Sequence, residues 1–179
     1  GNEIGLDKIS NFESYVGGTN NDIFFGGAKA EYMNGDLGND HLHGGGGNDF
    51  LYGWDGIDVL SGDLGADVLT GGSGSDHFMY NSVKDSTTGR SGRDTITDYN
   101  DAQDTIWFKG ANFAGFHMNT GGFEDSAFDG TAGALRALKN TEGWLLQYDS
   151  NGDKKVDMSI QVNDAGHATS WNISDFVVF

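Results

Sequence analysis

The chain has 179 residues, with 27 Asp or Glu against 10 Lys or Arg, which gives a formal net charge of −17. It contains no Cys, which excludes disulfides and thiolate metal sites. So acidic a chain argues against nucleic-acid partners and favours cations, above all metal ions. No run of about 18 apolar residues predicts a membrane span, and no basic-then-apolar start predicts a Sec signal peptide.

The first sixteen residues, 1–16, hold five spaced apolar side chains ahead of a glycine-rich stretch. We expect a lead-in strand or a linker to an upstream domain, and the two interpretations are compatible. The apolar residues are Ile4, Leu6, Ile9, Phe12 and Val16.

Residues 17–79 form seven unbroken blocks of nine, from GGTNNDIFF to GGSGSDHFM. Position 1 of every block is Gly, position 6 is acidic and position 8 is large and apolar. The position-6 residues are Asp22, Glu31, Asp40, Asp49, Asp58, Asp67 and Asp76. The position-8 residues are Phe24, Met33, Leu42, Leu51, Leu60, Leu69 and Phe78.

This pattern resembles the RTX nonapeptide, the hemolysin-type calcium-binding repeat G-G-x-G-x-D-x-U-x with U a large apolar residue. The resemblance implies an all-β fold, a right-handed parallel β-roll that binds Ca²⁺. The residues favour the same arrangement, because six glycine-rich positions suit a turn and three alternating positions suit a short strand. Two blocks then make one coil, with the position-8 side chains inside.

Blocks two apart stack on the same side of such a roll, so their position-6 carboxylates lie ~5 Å apart and repel by roughly 3 kcal/mol at an effective dielectric of 20. Ca²⁺ removes this repulsion and takes six to eight oxygen ligands. We expect about three to five ions in the roll, and the sequence allows one more in the cap. The predicted carboxylate ligands are Asp22, Asp40, Asp49, Asp58, Asp67 and Asp76, with Asp94 and Asp104 as further candidates. The predicted carbonyl ligands are Gly35, Gly44, Gly46, Gly53, Asp55, Gly62, Leu64, Gly71 and Ser73.

Without calcium, the high charge and small core predict a disordered repeat. Extracellular calcium modules bind at about 10⁻⁴–10⁻³ M, so the chain should stay unfolded in the cytosol and fold after secretion.

Residues 80–179 contain fewer glycines and are predicted to form a β-rich cap with one short helix. Strand-like segments at 82–86, 94–99 and 104–108 resemble the carboxy-terminal domain of serralysin-type metalloproteases. A related cap closes the R-modules of mannuronan C5-epimerases. The helix is expected at 131–139, TAGALRALK, and paired strands at 144–148 and 156–162.

Two short segments of the cap each allow two interpretations. Between the paired strands, Asp149–Asp157 spaces its oxygens partly like an EF-hand loop, but its Gly and its last position do not fit, so we favour a hairpin turn. The end of the chain, Asp175–Phe179, looks like the carboxy-terminal signal of type I secretion substrates. A last strand of the cap is the alternative, and a signal read before folding could become that strand.

No catalytic motif stands out in the sequence. H-E-x-x-H, G-x-S-x-G and the P-loop are absent, and His41 and His43 flank the inward Leu42, so they should point outward. We therefore expect a non-catalytic module that supports export and stability of an upstream domain. The alternative function is a carbohydrate-binding module for an alginate-like polysaccharide. Its surface would be an aromatic group made by Tyr32, Phe50, Tyr52 and Trp54. We favour cover of this group by the cap or by residues 1–16, and contact with an upstream domain or with glycan is the alternative.

Overall fold

The computed structural model describes residues 13–118, 127–163, 171 and 175–179. Within these ranges the chain forms fifteen β-strands and one 3₁₀ turn at Ala111–Phe113, with no α-helix. The roll strands are β1 (Ser14–Gly18), β2 (Ile23–Phe25), β3 (Tyr32–Leu37), β4 (His41–Gly46), β5 (Phe50–Gly56), β6 (Val59–Leu64), β7 (Val68–Gly74) and β8 (His77–Tyr80). The cap strands are β9 (Asp94–Ile96), β10 (Thr105–Phe108), β11 (His117–Met118), β12 (Ala134–Asn140), β13 (Gly143–Asp149), β14 (Met158–Val162) and β15 (Phe176–Val178).

The roll consists of two parallel sheets whose strands alternate along the chain, as the repeat predicts. β1, β3, β5 and β7 lie side by side in one sheet, and β2, β4, β6 and β8 in the other. Paired residues are 18 apart, as in Leu42 with Leu60 and Met33 with Leu51. The position-8 side chains all lie in the core and are almost fully buried. The all-β parallel roll is thus confirmed.

One further block precedes the seven that the glycines reveal. Tyr15, nine residues before Phe24, is buried and pairs with Met33 in the inward column. Glu13 stands nine residues before Asp22, and its carbonyl accepts the N–H of Tyr32 as other position-6 carbonyls do one coil on. This block carries no glycine, so the period in the sequence begins too late. The apolar residues at 4, 6, 9 and 12 lie outside the described residues.

The cap continues both sheets of the roll. β9 pairs with β7, and β10 pairs with β8, so Ile96 and Ile106 extend the two inward columns. The pairing of Thr95 with Val68 spans 27 residues instead of 18, which leaves one nonapeptide length outside the regular coil. The strand expected at 82–86 lies in this extra length and is wrong. The chain turns there instead, and the Asp85 carboxylate accepts the N–H groups of Asn81 and Ser82.

The helix predicted at 131–139 is also wrong, because most of this segment belongs to β12. The Ala, Leu and Lys residues favour a helix, but β12 pairs antiparallel with β13 over its whole length. Leu135 and Ala137 are buried, while Arg136 and Leu138 between and beyond them are partly exposed. Burial on one face of a sheet therefore outweighs the weak helix preference.

The remaining strands predicted for the cap are confirmed, although β9 ends at Ile96 within the predicted 94–99. β13 and β14 pair antiparallel, so Asp149–Asp157 is a hairpin connection. The carboxy-terminal segment forms β15, which pairs parallel with β10 at the edge of its sheet. Phe176 is buried against Phe108 and Trp171 in an aromatic core. Among the described residues, no helix has the length and apolar character needed to cross a membrane.

Candidate calcium ladder

The position-6 carboxylates form a continuous ladder of hydrogen bonds along each side of the roll. Asp58 Oδ1 accepts the backbone N–H of Asp40 at 2.7 Å, and Asp76 Oδ1 accepts that of Asp58 at 2.9 Å. On the other side, Asp67 Oδ1 accepts the N–H of Asp49 at 2.8 Å. Each carboxylate therefore fixes the turn of the preceding coil. The same-side pairs expected from the period are brought together.

The second oxygen of these carboxylates has no hydrogen-bond donor. It is buried and unpartnered in six residues, which are Asp40, Asp49, Asp58, Asp67, Asp76 and Asp94. An unpaired buried carboxylate oxygen is strongly unfavourable in the absence of a cation. A ladder of such oxygens therefore fits the hard, oxygen-preferring Ca²⁺.

The position-1 glycines leave the space in which these oxygens meet backbone carbonyls. A Cβ at Gly53 would lie under 3.0 Å from both Asp58 Oδ2 and the carbonyl oxygen of Gly71. The same crowding, by the carboxylate of the same block and a carbonyl one coil on, occurs at Gly35 and Gly44. A carboxylate oxygen without a hydrogen-bond donor and a backbone carbonyl oxygen therefore converge beside each of these glycines, and oxygens of these two kinds are the ligands that Ca²⁺ takes.

We expect Gly53→Ala to weaken the calcium-loaded protein by about 1–3 kcal/mol, because the new methyl group must displace two ligand oxygens. Thermal unfolding in excess Ca²⁺ measures the effect. Gly46→Ala is the matched control, since its Cβ would meet nothing nearer than Ala28 Cα at 3.8 Å. Equal losses in the two variants would contradict the assignment.

The metal-free ladder holds its protons tightly. Burial raises the pKa of Asp49 and Asp58 to about 6, and the hydrogen bond that each accepts from backbone N–H only partly offsets this. Burial likewise raises the pKa of Asp67 and Asp76 to about 7, with repulsion from neighbouring carboxylates adding to it. A divalent cation would reverse these shifts because it favours the ionised form.

The predicted carbonyl ligands fall into two groups. The carbonyls of position-1 glycines, such as Gly53 and Gly71, lie close to the unpartnered carboxylate oxygens, as described above. Among those at position 3, the Asp55 and Leu64 carbonyls accept the N–H groups of Gly38 and Gly47. Each keeps a second lone pair, so its role as a ligand stays a prediction. Among the described residues, no group of three or more His, Asp or Glu side chains is arranged to hold a metal.

Two cap residues extend the ladder beyond the last block. Asp94 Oδ1 accepts the N–H of Asp67, and Asp104 Oδ1 accepts that of Asp76, both at 3.0 Å. Asp94 Oδ2 has no donor at normal hydrogen-bond geometry, although the Asp94 carboxylate interacts with the buried Tyr80 hydroxyl, whereas Asp104 Oδ2 accepts the N–H of Asn100. Asp94 therefore fits a ligand role better than Asp104.

The ladder changes at its amino-terminal end. Glu31 Oε2 accepts the N–H of Gly27 in its own block, at 3.2 Å. Asp22 Oδ1 is buried without a hydrogen-bond partner, and the residue one coil before it, residue 4, lies outside the described residues. Among the described position-6 residues, Glu31 thus differs from the later aspartates in also bonding within its own block.

The position-5 asparagines form a second ladder, which the sequence analysis did not predict. Asn21 and Asn39 Oδ1 accept the N–H groups of Asn39 and Ile57, each at 2.8 Å, and Asn48 Oδ1 accepts that of Ala66 at 3.1 Å. Each Asn oxygen accepts an N–H from the coil that follows it, whereas each Asp oxygen accepts one from the coil that precedes it. Asn at position 5 of three blocks is the signal that could have revealed them.

The other candidate positions lie apart from the ladder. In the hairpin, the Asp149 carboxylate accepts N–H groups from Gly152 at 2.7 Å and Lys154 at 2.9 Å, so its oxygens serve the turn. His41 is exposed, and His43 stacks on Phe25 with ring centroids 4.9 Å apart, so both point outward as expected.

The aromatic group of the first sheet is partly exposed. Tyr32, Phe50 and Trp54 are 40%, 46% and 53% exposed, and Tyr52 is half-buried. The Tyr32 and Tyr52 ring centroids are 5.3 Å apart. These side chains form one aromatic face, as the alternation predicts.

The structure is that of a calcium-binding parallel β-roll. Its coils are stacked, its carboxylates form a buried ladder, and its position-1 glycines leave room beside them for an ion. The profile of the RTX calcium-binding nonapeptide repeat matches three overlapping stretches, 13–42, 25–60 and 52–86. Residues 13–86 are therefore RTX calcium-binding nonapeptide repeats. Repeats of this family bind Ca²⁺ and are typical of secreted proteins.

Solved structures of 28 chains resemble this one. The AlgE6R3 subunit of the Azotobacter vinelandii mannuronan C5-epimerase is 26% identical with a TM-score of 0.57, over 90% of this chain and 80% of that one. The AlgE6R2 subunit of the same epimerase is 25% identical with a TM-score of 0.54, over 78% and 88%. Modules of this type are non-catalytic. No curated protein matches the chain.

Proposed function

We propose that this chain is a calcium-driven folding module of a secreted protein. The observation that carries the proposal is the row of buried Oδ2 atoms without hydrogen-bond donors. Folding without a cation would bury this charge at high cost, whereas Ca²⁺ binding and folding together form one favourable equilibrium. Residues 17–79 would hold the ions, and residues 80–179 would close the roll.

The proposal extends to type I secretion and to the stability of an attached domain. In the folded chain Asp175 and Phe176 are buried, and β15 is paired with β10. A transporter could therefore read the whole of Asp175–Phe179 only before the cap forms, because afterwards mainly Val178 and Phe179 at its end stay exposed. Low cytosolic calcium would keep this segment accessible. External calcium would then fold the exported chain, which would prevent its return and stabilise the attached domain outside the cell.

A calcium titration of EDTA-treated protein, followed by far-ultraviolet circular dichroism, tests the folding role. We expect a cooperative coil-to-β transition with a midpoint of about 10⁻⁴–10⁻³ M Ca²⁺. Mg²⁺ at the same concentrations should have little effect, since it gives up its waters reluctantly. A chain already folded in EDTA at neutral pH would refute the switch.

A second candidate function is polysaccharide binding by the aromatic face. The observation that favours it is the partial exposure of Tyr32, Phe50 and Trp54. Exposed aromatic rings in a row suit stacking on sugar rings. The resemblance to subunits of a mannuronan C5-epimerase makes an alginate-like polymer the first probe. Calorimetric titration of the calcium-loaded protein with mannuronate oligomers tests it, and absence of heat would count against this ligand.

A further inference from the structure

Trp54 occupies a turn position that bulky residues normally avoid. Its φ is 77°, in the left-handed region where a side chain crowds its own backbone. The same position 2 is filled in the other blocks by glycine or aspartate, namely Gly18, Gly27, Asp36, Gly45, Asp63 and Gly72. The indole is 53% exposed, so little packing compensates for the strain. A strained, exposed tryptophan points to a role in binding.

A cavity of 260 Å³ lies directly beside this indole. Tyr52, Trp54, Thr70 and Gly72 line it. Gly72 is the register partner of Trp54 on the next strand and has no side chain, so the space beside the ring stays open. The cavity suits one ring-sized group, with aromatic surface on its walls.

Carboxylates belong to residues next to the cavity lining in register or in the chain, although none of them lines the cavity itself. Asp36 is the register partner of Trp54 on β3, and Asp55 follows Trp54 in the chain, with its carboxylate bonded to the Ser73 hydroxyl. On the cap side, the Asp98 carboxylate accepts the N–H of Gly72 at 2.8 Å. The field around the indole is therefore negative.

Basic residues are rare in the roll. Residues 13–79 contain eleven acidic residues and a single basic one, Lys29. Arg90 and Arg93 line a different cavity with Thr95, which is in register with Val68, four residues and hence ~13 Å along the strand from Gly72. Even five bound Ca²⁺ ions would change the formal net charge only from −17 to −7. Charge complementarity thus favours a cationic ligand over a polyanion.

We propose that the cavity beside Trp54 binds a protonated amino sugar of a cationic polysaccharide. The indole and phenol faces attract an ammonium group through their quadrupoles, and the nearby carboxylates complement its charge. The sugar ring packs on the aromatic surface. The inference rests on the second proposed function, polysaccharide binding by the aromatic face, and names its ligand class.

Calorimetric titration of the calcium-loaded protein with glucosamine oligomers, at a pH that keeps the amine protonated, tests the inference. We expect binding that weakens as salt is added. N-acetylglucosamine oligomers of equal length, which lack the charge, should bind more weakly, and mannuronate oligomers more weakly still. Equal affinity for the amine and the acetylated form, or a preference for oligolysine, would overturn the inference. Binding of mannuronate alone would overturn it too, yet would support the second function, whereas no binding of any saccharide would refute both.

Trp54→Gly separates binding from folding. Glycine is the residue found at this position in four other blocks, so the variant relieves the backbone strain and should keep its calcium-dependent folding. We expect its affinity for glucosamine oligomers to fall roughly tenfold. Ile57→Ser is the matched control, because Ile57 is 49% exposed on the same turn but does not line the cavity. Unchanged affinity in Trp54→Gly would overturn the inference.

Discussion

Asp58→Asn should raise the calcium concentration needed for folding by roughly tenfold or more, because the site loses a charged ligand. The amide keeps the shape of the side chain and an oxygen that can accept the N–H of Asp40. However, it places an N–H₂ group or a neutral oxygen where the unpartnered Oδ2 now lies. Circular dichroism during a calcium titration measures the shift in midpoint.

The same variant should behave differently without metal. Neutral Asn avoids burying a charge, so in EDTA at neutral pH the residual β-structure of Asp58→Asn should be no less than that of the parent, or slightly more. A residue important only for packing would lose stability in both states. This opposite response with and without calcium is the signature of a ligand.

Asp36→Asn provides the control for Asp58→Asn. Asp36 is exposed, lies outside the ladder and has a φ of 73°, a backbone region that Asn also tolerates. Asp36→Asn removes one negative charge, as Asp58→Asn does, from a nearby part of the roll. If the two variants shifted the calcium midpoint equally, net charge rather than ligation would control folding, and the ladder assignment would be wrong.

The roll could be predicted because its physical requirements repeat every nine residues. Each block needs a glycine beside its carboxylate, an acid that fixes the turn before it, and an apolar side chain inside. The block containing Glu13 and Tyr15 has an acid at position 6 and an apolar side chain inside, but without glycine its period is invisible. Its position instead follows from pairing with β3, which is a tertiary contact.

The cap was predictable only in part, since no repeat constrains it. Local preference favours a helix around Leu135, yet pairing with β13 produces a strand. The extra nonapeptide length before Asp94 could not be foreseen, because Asp85 stands in perfect register nine residues after Asp76. In the structure Asp85 instead serves a local turn, and Asp94 takes the next place in the ladder.

The ladder also connects calcium to the whole fold. Each carboxylate bonds to the coil before it, and the last bonds run from Asp94 to Asp67 and from Asp104 to Asp76. The cap strands β9 and β10 therefore depend on the same carboxylates as the roll. Since β15 pairs with β10, loss of the last ligands should loosen the carboxy-terminal strand as well.

Acid should partly replace calcium. In the metal-free folded chain the pKa values of Asp49 and Asp58 are about 6, and those of Asp67 and Asp76 about 7, against about 3.9 for an unfolded Asp. The folded form binds these protons more tightly, so its stability falls as pH rises through 6 and 7 and recovers as pH falls. In EDTA we therefore expect β-structure to appear on acidification, and circular dichroism at low protein concentration measures it.

A double variant separates ladder protonation from the general loss of negative charge in acid. Asp67→Asn with Asp76→Asn mimics the protonated carboxyls, so in EDTA its folding transition should move to higher pH. Asp36→Asn with Asp101→Asn removes the same charge outside the ladder and should leave the transition where it is. If both pairs moved it equally, or if acid produced no β-structure in the parent chain, the buried carboxylates would not be what keeps the metal-free roll unfolded. An upward shift confined to the ladder pair would show that a proton on each buried Oδ2 does part of what Ca²⁺ does, because both remove an unpaired charge from the same oxygen.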